Sequence, residues 1–301
     1  MELCIIGLGR MGANMAERLL RGGHRVIAHD RNIEAIERLT VKGAIGADSI
    51  EAIAAALTPQ RVVWLMVPSG GPVEEAIHAL IPYLKPDDVI VDGGNSHYKD
   101  TLRRAQALRE KGLHFVDVGT SGGTWGLQEG YSLMVGGDPA VIERLKPIFQ
   151  TLAPGPDKGW GHVGPSGAGH FVKMIHNGIE YGMMQAFAEG FALMQRKAEF
   201  RLDLHQIADI WRHGSVVRSW LLDLIAKALS ENQDLRGIQP FVEDSGEGRW
   251  TVFEAVELDV SAPVITLALL HRLRSRDPDS FADKLLAAMR HQFGGHPLKR
   301  K

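Results

Sequence analysis

Six residues near the start of the chain restrict its fold more than any others. Gly7-Leu8-Gly9-Arg10-Met11-Gly12 has the spacing G-x-G-x-x-G. It follows an apolar run at 3–6 that reads as a strand, and it opens a helical pattern at 10–20 in which Met11, Met15 and Leu19 share a face. That context gives a weak hexapeptide its meaning. The glycines permit a tight turn, approach of the backbone to a pyrophosphate, and close packing of helix on strand. The helix N-terminus adds unpaired N–H groups and a partial positive charge. Asp30 ends the second predicted strand, 25–28, about twenty residues beyond the glycines. A carboxylate there accepts hydrogen bonds from ribose hydroxyls and repels a 2′-phosphate, whereas Arg31 beside it could pair with one. The balance favours NAD and leaves NADP open. A plain capping role for Asp30 is the simpler alternative.

The remainder of the first half continues the alternation. Strands are predicted at 62–67, 89–91, 115–118 and 131–135, and helices at 33–39, 73–84, 101–109 and 139–152. Fully apolar strands between helices indicate a parallel sheet covered on both faces, hence a Rossmann-type, doubly wound α/β domain. The Gly-rich segment 159–169 ends this rhythm. Beyond it the predicted elements are helices, at 167–194, 204–210, 219–228, 250–257 and 263–273. The expected organisation is an α/β dinucleotide-binding domain over 1–165, an all-α domain over 166–289, and an extended tail over 290–301.

Composition removes several classes of function. With 45% hydrophobic and 23% charged residues, disorder and coiled coil are not expected. A net charge of -2 argues against a nucleic-acid-binding surface. The one cysteine, Cys4, excludes an internal disulfide framework and a multi-cysteine zinc site. It lies in an apolar run and reads as a buried thiol in a reducing compartment. The first residues lack the pattern of a signal peptide. The apolar run 262–270 is about half of a membrane span. A soluble, cytoplasmic protein without membrane contact is expected.

The second chemical signal lies at 167–185, GAGHFVKMIHNGIEYGMMQ. On a continuous helix Lys173, His176, Asn177 and Glu180 share one face, with Lys173 and Glu180 two turns, roughly 10 Å, apart. The other faces carry Phe171, Val172, Met174, Ile175, Ile179, Met183 and Met184, so the helix is expected to be buried. Buried Lys and Glu require partners or a ligand; a solvated charged face is the bland alternative. Two Gly-rich loops, around Asn95 and over 119–126, should lie beyond the carboxyl ends of their strands, where ligands of open α/β sheets bind. Each could also be a structural turn.

These residues together resemble the 6-phosphogluconate dehydrogenases of the β-hydroxyacid dehydrogenase superfamily. The resemblance runs through 7–12, 93–96, 121–123, 170–181, 246–250 and 293–296, and the length is that of the short form. It implies that Lys173 is the general base and Glu180 the general acid. It implies substrate contacts from Asn95, Ser121, Gly122, Gly123, His176 and Asn177, with Tyr181 and Arg272 on the phosphate. Val67, Pro68 and Ser69 would pass under the cofactor, together with Asn95. Arg290 and His296 would belong to a tail entering the active site of a neighbouring subunit, in a homodimer or homotetramer. The segment Ser245-Gly246-Glu247-Gly248-Arg249 departs from the family's GTGK-like motif: a phosphate-binding lysine is absent and Glu247 adds negative charge, with Arg249 a candidate to compensate.

The implied reaction is oxidation of 6-phospho-D-gluconate at C3 and loss of CO2, giving ribulose 5-phosphate and a reduced nicotinamide, with no metal ligand set of the H-E-x-x-H kind. Lysine must be neutral to act as a base, and burial lowers its pKa. A non-decarboxylating 3-hydroxyacid dehydrogenase would share the glycines and Lys173 without needing Glu180, Tyr181 and Arg272. A nucleotide-binding regulatory protein would have no use for the Lys173–Glu180 pair.

Overall fold

A computed structural model describes residues 1–294 and 297–299. The chain divides into two compact units, Met1–His176 and Asn177–Lys301. The division falls inside a helix, later than the change of composition at 159–169.

The first unit is built on one eight-stranded sheet: β1 (Glu2–Ile6), β2 (Arg25–His29), β3 (Ile45–Gly46), β4 (Val62–Leu65), β5 (Val89–Asp92), β6 (His114–Ser121), β7 (Ser132–Gly136) and β8 (Trp160–Gly164). The order is β3-β2-β1-β4-β5-β6-β7-β8. Helices α1 (Arg10–Arg21), α2 (Ile33–Thr40), α3 (Ile50–Ala56), α4 (Gly71–Leu80), α5 (Tyr98–Arg109), α6 (Gly126–Glu129) and α7 (Pro139–Leu152) connect the strands. Successive side chains of the central strands enter two different cores. Leu3, Ile5, Val62, Trp64, Val89 and Val91 join α1 and α7 on one face, while Cys4, Ile6, Val63, Leu65 and Ile90 join α4 and α5 on the other. Both faces are thus sealed, which is why these strands are apolar throughout. Burial raises the Cys4 thiol far above its ordinary value.

One pairing departs from a wholly parallel sheet. β7 runs antiparallel to β6, with Val118 opposite Val135. The link between them carries the one-turn α6 and is too short to bring the chain back for a parallel pairing. Four small elements, β3, α3, α6 and β8, are not expected from the sequence.

Helix α8 (Ala168–Arg196) follows β8. Its start is fastened to the sheet. Buried Asp117 on β6 accepts from the Gly167 N–H at 2.7 Å and the His170 N–H at 2.9 Å, so a carboxylate meets the positive end of the helix. Contact is close enough that Gly119 has no space for a side chain: a Cβ there would lie 2.4 Å from the Lys173 Cβ.

The second unit is helical: the rest of α8, then α9 (Leu204–Arg212), α10 (Trp220–Glu231), α11 (Glu247–Glu257), α12 (Pro263–Arg274) and α13 (Phe281–Gly294). Asp203 and Ser219 cap α9 and α10 through their side chains. Leu204, Ala208, Leu222, Ala226 and Leu229 form one small core, and Tyr181, Ala268 and Leu269 another. Two expectations need correction. The tail expected to be extended from Arg290 is helical as far as Gly294, because α13 continues through it. And α8 is not covered all round: Val172 in the first unit is exposed within a single chain, and so are Ile179, Met183 and Met184 in the second, where two small cores offer few surfaces for the helix to pack on.

Candidate functional site

In the first unit a cavity of about 810 Å³ opens at the carboxyl ends of β1, β2, β4 and β5. Strand order reverses between β1 and β4, so this is the crevice where such sheets take ligands. Gly7, Gly9, Arg10, Met11, Gly12, Asp30, Arg31, Val67, Pro68 and Asn95 all line it. The three glycines do different things. Gly7 has φ of 95°, and a Cβ on it would strike the Met66 carbonyl at 2.5 Å. A Cβ on Gly12 would strike the Gly7 carbonyl at 1.9 Å, so helix and strand could not close. Gly9 has nothing within 4 Å of its Cβ position, and α1 begins after it with no side-chain cap. Open space beside a bare helix N-terminus fits a pyrophosphate. Leu8 and Ser69 are not among the lining residues; Leu8 faces the core and supplies only its N–H.

That N–H donates to Asp30 Oδ2 at 2.6 Å, and the Asn32 N–H donates to Oδ1 at 2.8 Å. Asp30 is thereby held as an acceptor at the cavity wall, and the cap of α2 is Asn32 instead. Arg31 Nη2 lies 2.7 Å from Glu75 Oε2, and Glu75 also lines the cavity. Glu75 is 44 residues from Arg31 on α4, so the pairing was hidden in the sequence. The loop after β5 is tied from below: Ser96 Oγ donates to Asp92 Oδ2 at 2.7 Å, and Arg104 Nη1 donates to Ser96 Oγ at 3.2 Å. Asn95 is left exposed on the cavity side.

Also in this unit, Ser121 ends β6, and Gly122 and Gly123 take φ of 133° and 51°. Lys173 is 5% exposed, and its Nζ lies 3.4 Å from His176 Nδ1.

In the second unit, α8 presents Asn177, Glu180 and Tyr181. Asn177 and Tyr181 are buried and Glu180 is half-buried. Asn177 Nδ2 donates to Glu247 Oε2. The guanidinium carbon of Arg272 stands 3.5 Å over the Tyr181 ring, and Arg272 Nη1 donates to the Glu243 carbonyl at 2.9 Å. Arg249 donates to Asp244 from Nε at 2.8 Å and is held there instead of standing free as a phosphate ligand. Arg290 is exposed on α13, and His296 lies outside the described residues. Among the described residues no group of three or more His, Cys, Asp or Glu could hold a metal ion, and no helix is long and apolar enough to cross a membrane.

Comparison with known proteins matches both units. Residues 2–164 match the NAD binding domain of 6-phosphogluconate dehydrogenase, and residues 169–284 match the C-terminal domain of 6-phosphogluconate dehydrogenase. An NAD(+)-dependent, decarboxylating 6-phosphogluconate dehydrogenase of Haloferax volcanii is 44% identical over 302 residues, covering 100% of this chain and 99% of that one. One of Bacillus subtilis is 37% identical over 287 residues, which are 90% of this chain and 60% of the longer relative. Among solved structures, 6-phosphogluconate dehydrogenase of Plasmodium falciparum superposes with a TM-score of 0.85 at 27% identity, covering 100% of this chain and 66% of that one. A 3-hydroxyisobutyrate dehydrogenase of Mycobacterium tuberculosis shares the fold, with a TM-score of 0.74 at 22% identity, covering 92% and 94%.

Proposed function

Since the chain belongs to the 6-phosphogluconate dehydrogenase family, we infer that it oxidises 6-phospho-D-gluconate at C3 and releases CO2, yielding ribulose 5-phosphate. The observation that carries this reading is Lys173, an amine buried on the helix that also bears Glu180 two turns further on. A bound nicotinamide dinucleotide, NAD in preference to NADP, supplies the hydride acceptor. Gly7, Gly9 and the start of α1 would hold its pyrophosphate and Asp30 its ribose. Arg31 leans towards Glu75, which leaves less positive charge for a 2′-phosphate.

The rest of the chemistry falls to side chains of this chain. Lys173 takes the proton of the C3 hydroxyl as hydride leaves that carbon. The resulting ammonium then donates to the C3 carbonyl oxygen, so that electrons left by departing CO2 settle on oxygen. Glu180 gives a proton to the carbon that lost the carboxylate, and the enediol becomes the ketose. Asn177, His176, Ser121, Gly122, Gly123 and Asn95 are assigned to the sugar acid, and Tyr181 and Arg272 to its phosphate.

The exposed apolar residues of the second unit support a homodimer or homotetramer. Val264, Leu267 and Phe281 are 66%, 64% and 76% exposed in one chain, more than an isolated monomer ordinarily shows as a group. The segment from Arg290 is the part offered to a neighbour's site. A single buried thiol suits the cytoplasm.

The test is absorbance at 340 nm with 6-phosphogluconate and then with 3-hydroxyisobutyrate, each with NAD and NADP, with CO2 captured. Turnover of the second substrate alone, or reduction without CO2, sinks the reading. Mixing Lys173→Met chains with Arg290→Ala chains tests the shared site. Recovery of activity is expected, and two inactive parents that stay inactive when mixed would remove the shared tail.

A further inference from the structure

Where the family has its phosphate-binding motif, this chain has Ser245 and Glu247. Glu247 opens α11 and is 4% exposed. Its Oε2 accepts from Asn177 Nδ2 and, at 2.8 Å, from Ser245 Oγ. Ser245 Oγ in turn lies 3.2 Å from the Tyr181 hydroxyl, and the Ser245 N–H donates to that hydroxyl at 3.3 Å. Two close approaches fix the setting. A Cβ on Gly248 would lie 2.4 Å from the Tyr181 ring, and one on Gly178 would lie 2.5 Å from Thr251. The start of α11 therefore sits flush on α8, with the Glu247 carboxylate sealed between Asn177 and Ser245. Its second oxygen, Oε1, is buried without a hydrogen-bond partner.

An acceptor in this place dictates direction. Oε2 can only receive, so Asn177 must present its amide nitrogen to it and turn its carbonyl oxygen away. Ser245 must spend its hydroxyl proton on the same oxygen and so cannot donate to Tyr181, whose own hydroxyl proton is shared between Ser245 Oγ at 3.2 Å and Asp244 Oδ1 at 3.4 Å. Leaving a buried oxygen such as Oε1 unpaired is costly, and such a group calls for an explanation.

We propose that Glu247 is a positioning residue for the substrate. It sets the orientation of the Asn177 carboxamide and, through Ser245, of the Tyr181 hydroxyl. The missing lysine is thus not made good by a second cation; Asp244 already holds Arg249. The segment acts instead by aligning two side chains of α8. This rests on the assignment of Asn177 and Tyr181 to the substrate in the proposed function.

The test is a double-mutant cycle between positions 247 and 177, read as kcat/KM for 6-phosphogluconate, with NADH affinity and Tm measured on every variant. Glu247→Met keeps the volume and removes the acceptor; Glu247→Ala serves if that variant does not fold. The expected loss in kcat/KM is about 10- to 100-fold, the worth of a hydrogen bond to a charged group, with NADH affinity unchanged. Glu247→Gln, whose amide oxygen can still accept from both neighbours, should recover all but about threefold. On an Asn177→Ala background the change at 247 should cost clearly less than on the wild type, only the part that acts through Ser245 on Tyr181, because the side chain it orients directly is gone. Losses that multiply across the two positions would overturn the positioning role, and so would a change in Tm with kcat/KM intact. Wild-type protein inactive on 6-phosphogluconate would overturn the proposed function and this inference with it, whereas active wild type with multiplying losses overturns the inference alone.

Discussion

Trp64, Leu3 and Phe149 in the first unit are at most 1% exposed, while Phe253, Leu267 and Phe281 in the second are 59%, 64% and 76% exposed. Both regions are rich in apolar residues, so composition does not separate them. Geometry does. A sheet with helices on both faces gives every strand residue a neighbour, and alternate side chains feed two closed cores. Helices such as α12, PVITLALLHRLR, carry apolar residues on more than one side, and Val264, Leu267 and Leu270 on it are left exposed. The contrast teaches that the dinucleotide-holding unit is complete in itself, whereas the helical unit has a surface suited to further protein.

The sharpest break of that contrast is chemical. Lys173→Met should lower kcat by about 10²–10⁴ or more, while titration with NADH gives an unchanged Kd, since Lys173 is not among the residues that line the cavity beside Gly9. Near wild-type turnover would remove Lys173 from the reaction. Next in size is a comparison of stability. Phe149→Ala should cost about 3–5 kcal/mol at any protein concentration. Phe253→Ala should give a Tm penalty that changes with protein concentration, because in the proposed homo-oligomer this ring is covered by association. Equal, concentration-independent penalties would mean that the helical unit needs no partner.

Cofactor choice is expected to move less. Asp30→Ser should raise the ratio of kcat/KM for NADP over NAD by about tenfold, the effect of roughly 1.4 kcal/mol. Glu75→Gln, by releasing Arg31, should add a smaller increment in the same direction. A wild type that already prefers NADP tenfold would refute this use of Asp30. The smallest effect concerns acid. Burial works to raise the Asp244 carboxyl, but the Gly246 N–H, Arg249 and the Tyr181 hydroxyl hold it below the ordinary 3.8. The folded form thus takes up this proton less readily than the unfolded chain. Its contribution is complete above about pH 4 and is lost as the pH falls through the depressed value. Asp244→Asn should flatten the acid limb of the second unit's unfolding profile; an unaltered limb would show that Asp244 has no part in it.

Much of the first unit could be read in advance because its signals are local. The glycines, the apolar strands and the residues that end β1, β2 and β5 are each marked by the few residues beside them in the chain. β8 escaped because two of its five residues, Gly161 and Gly164, are glycines and it pairs on one side only. The helix α13 escaped because the glycines and proline after it suggested an extended tail. In the site, Arg31 and Glu75 meet across 44 residues and Asn177 and Glu247 across 70. Nothing periodic links such positions. Glu247 looked like a stray charge until its acceptor role for Asn177 was visible.

A helix is also a clock, and α8 keeps time for the proposed chemistry. Its 29 residues extend about 43 Å, and each residue turns the side-chain direction by about 100°. Seven residues make nearly two full turns, so Lys173 and Glu180 return to almost the same heading. One residue inserted between them would leave every strand of the sheet untouched and swing Glu180, Tyr181 and all that follow to another quarter of the helix. A four-residue insertion would nearly restore the heading but lengthen the gap by about 6 Å. Lineages carrying this arrangement should therefore tolerate loops of many lengths around the sheet and none within this stretch, where the spacing of the proposed base and acid is written as an angle.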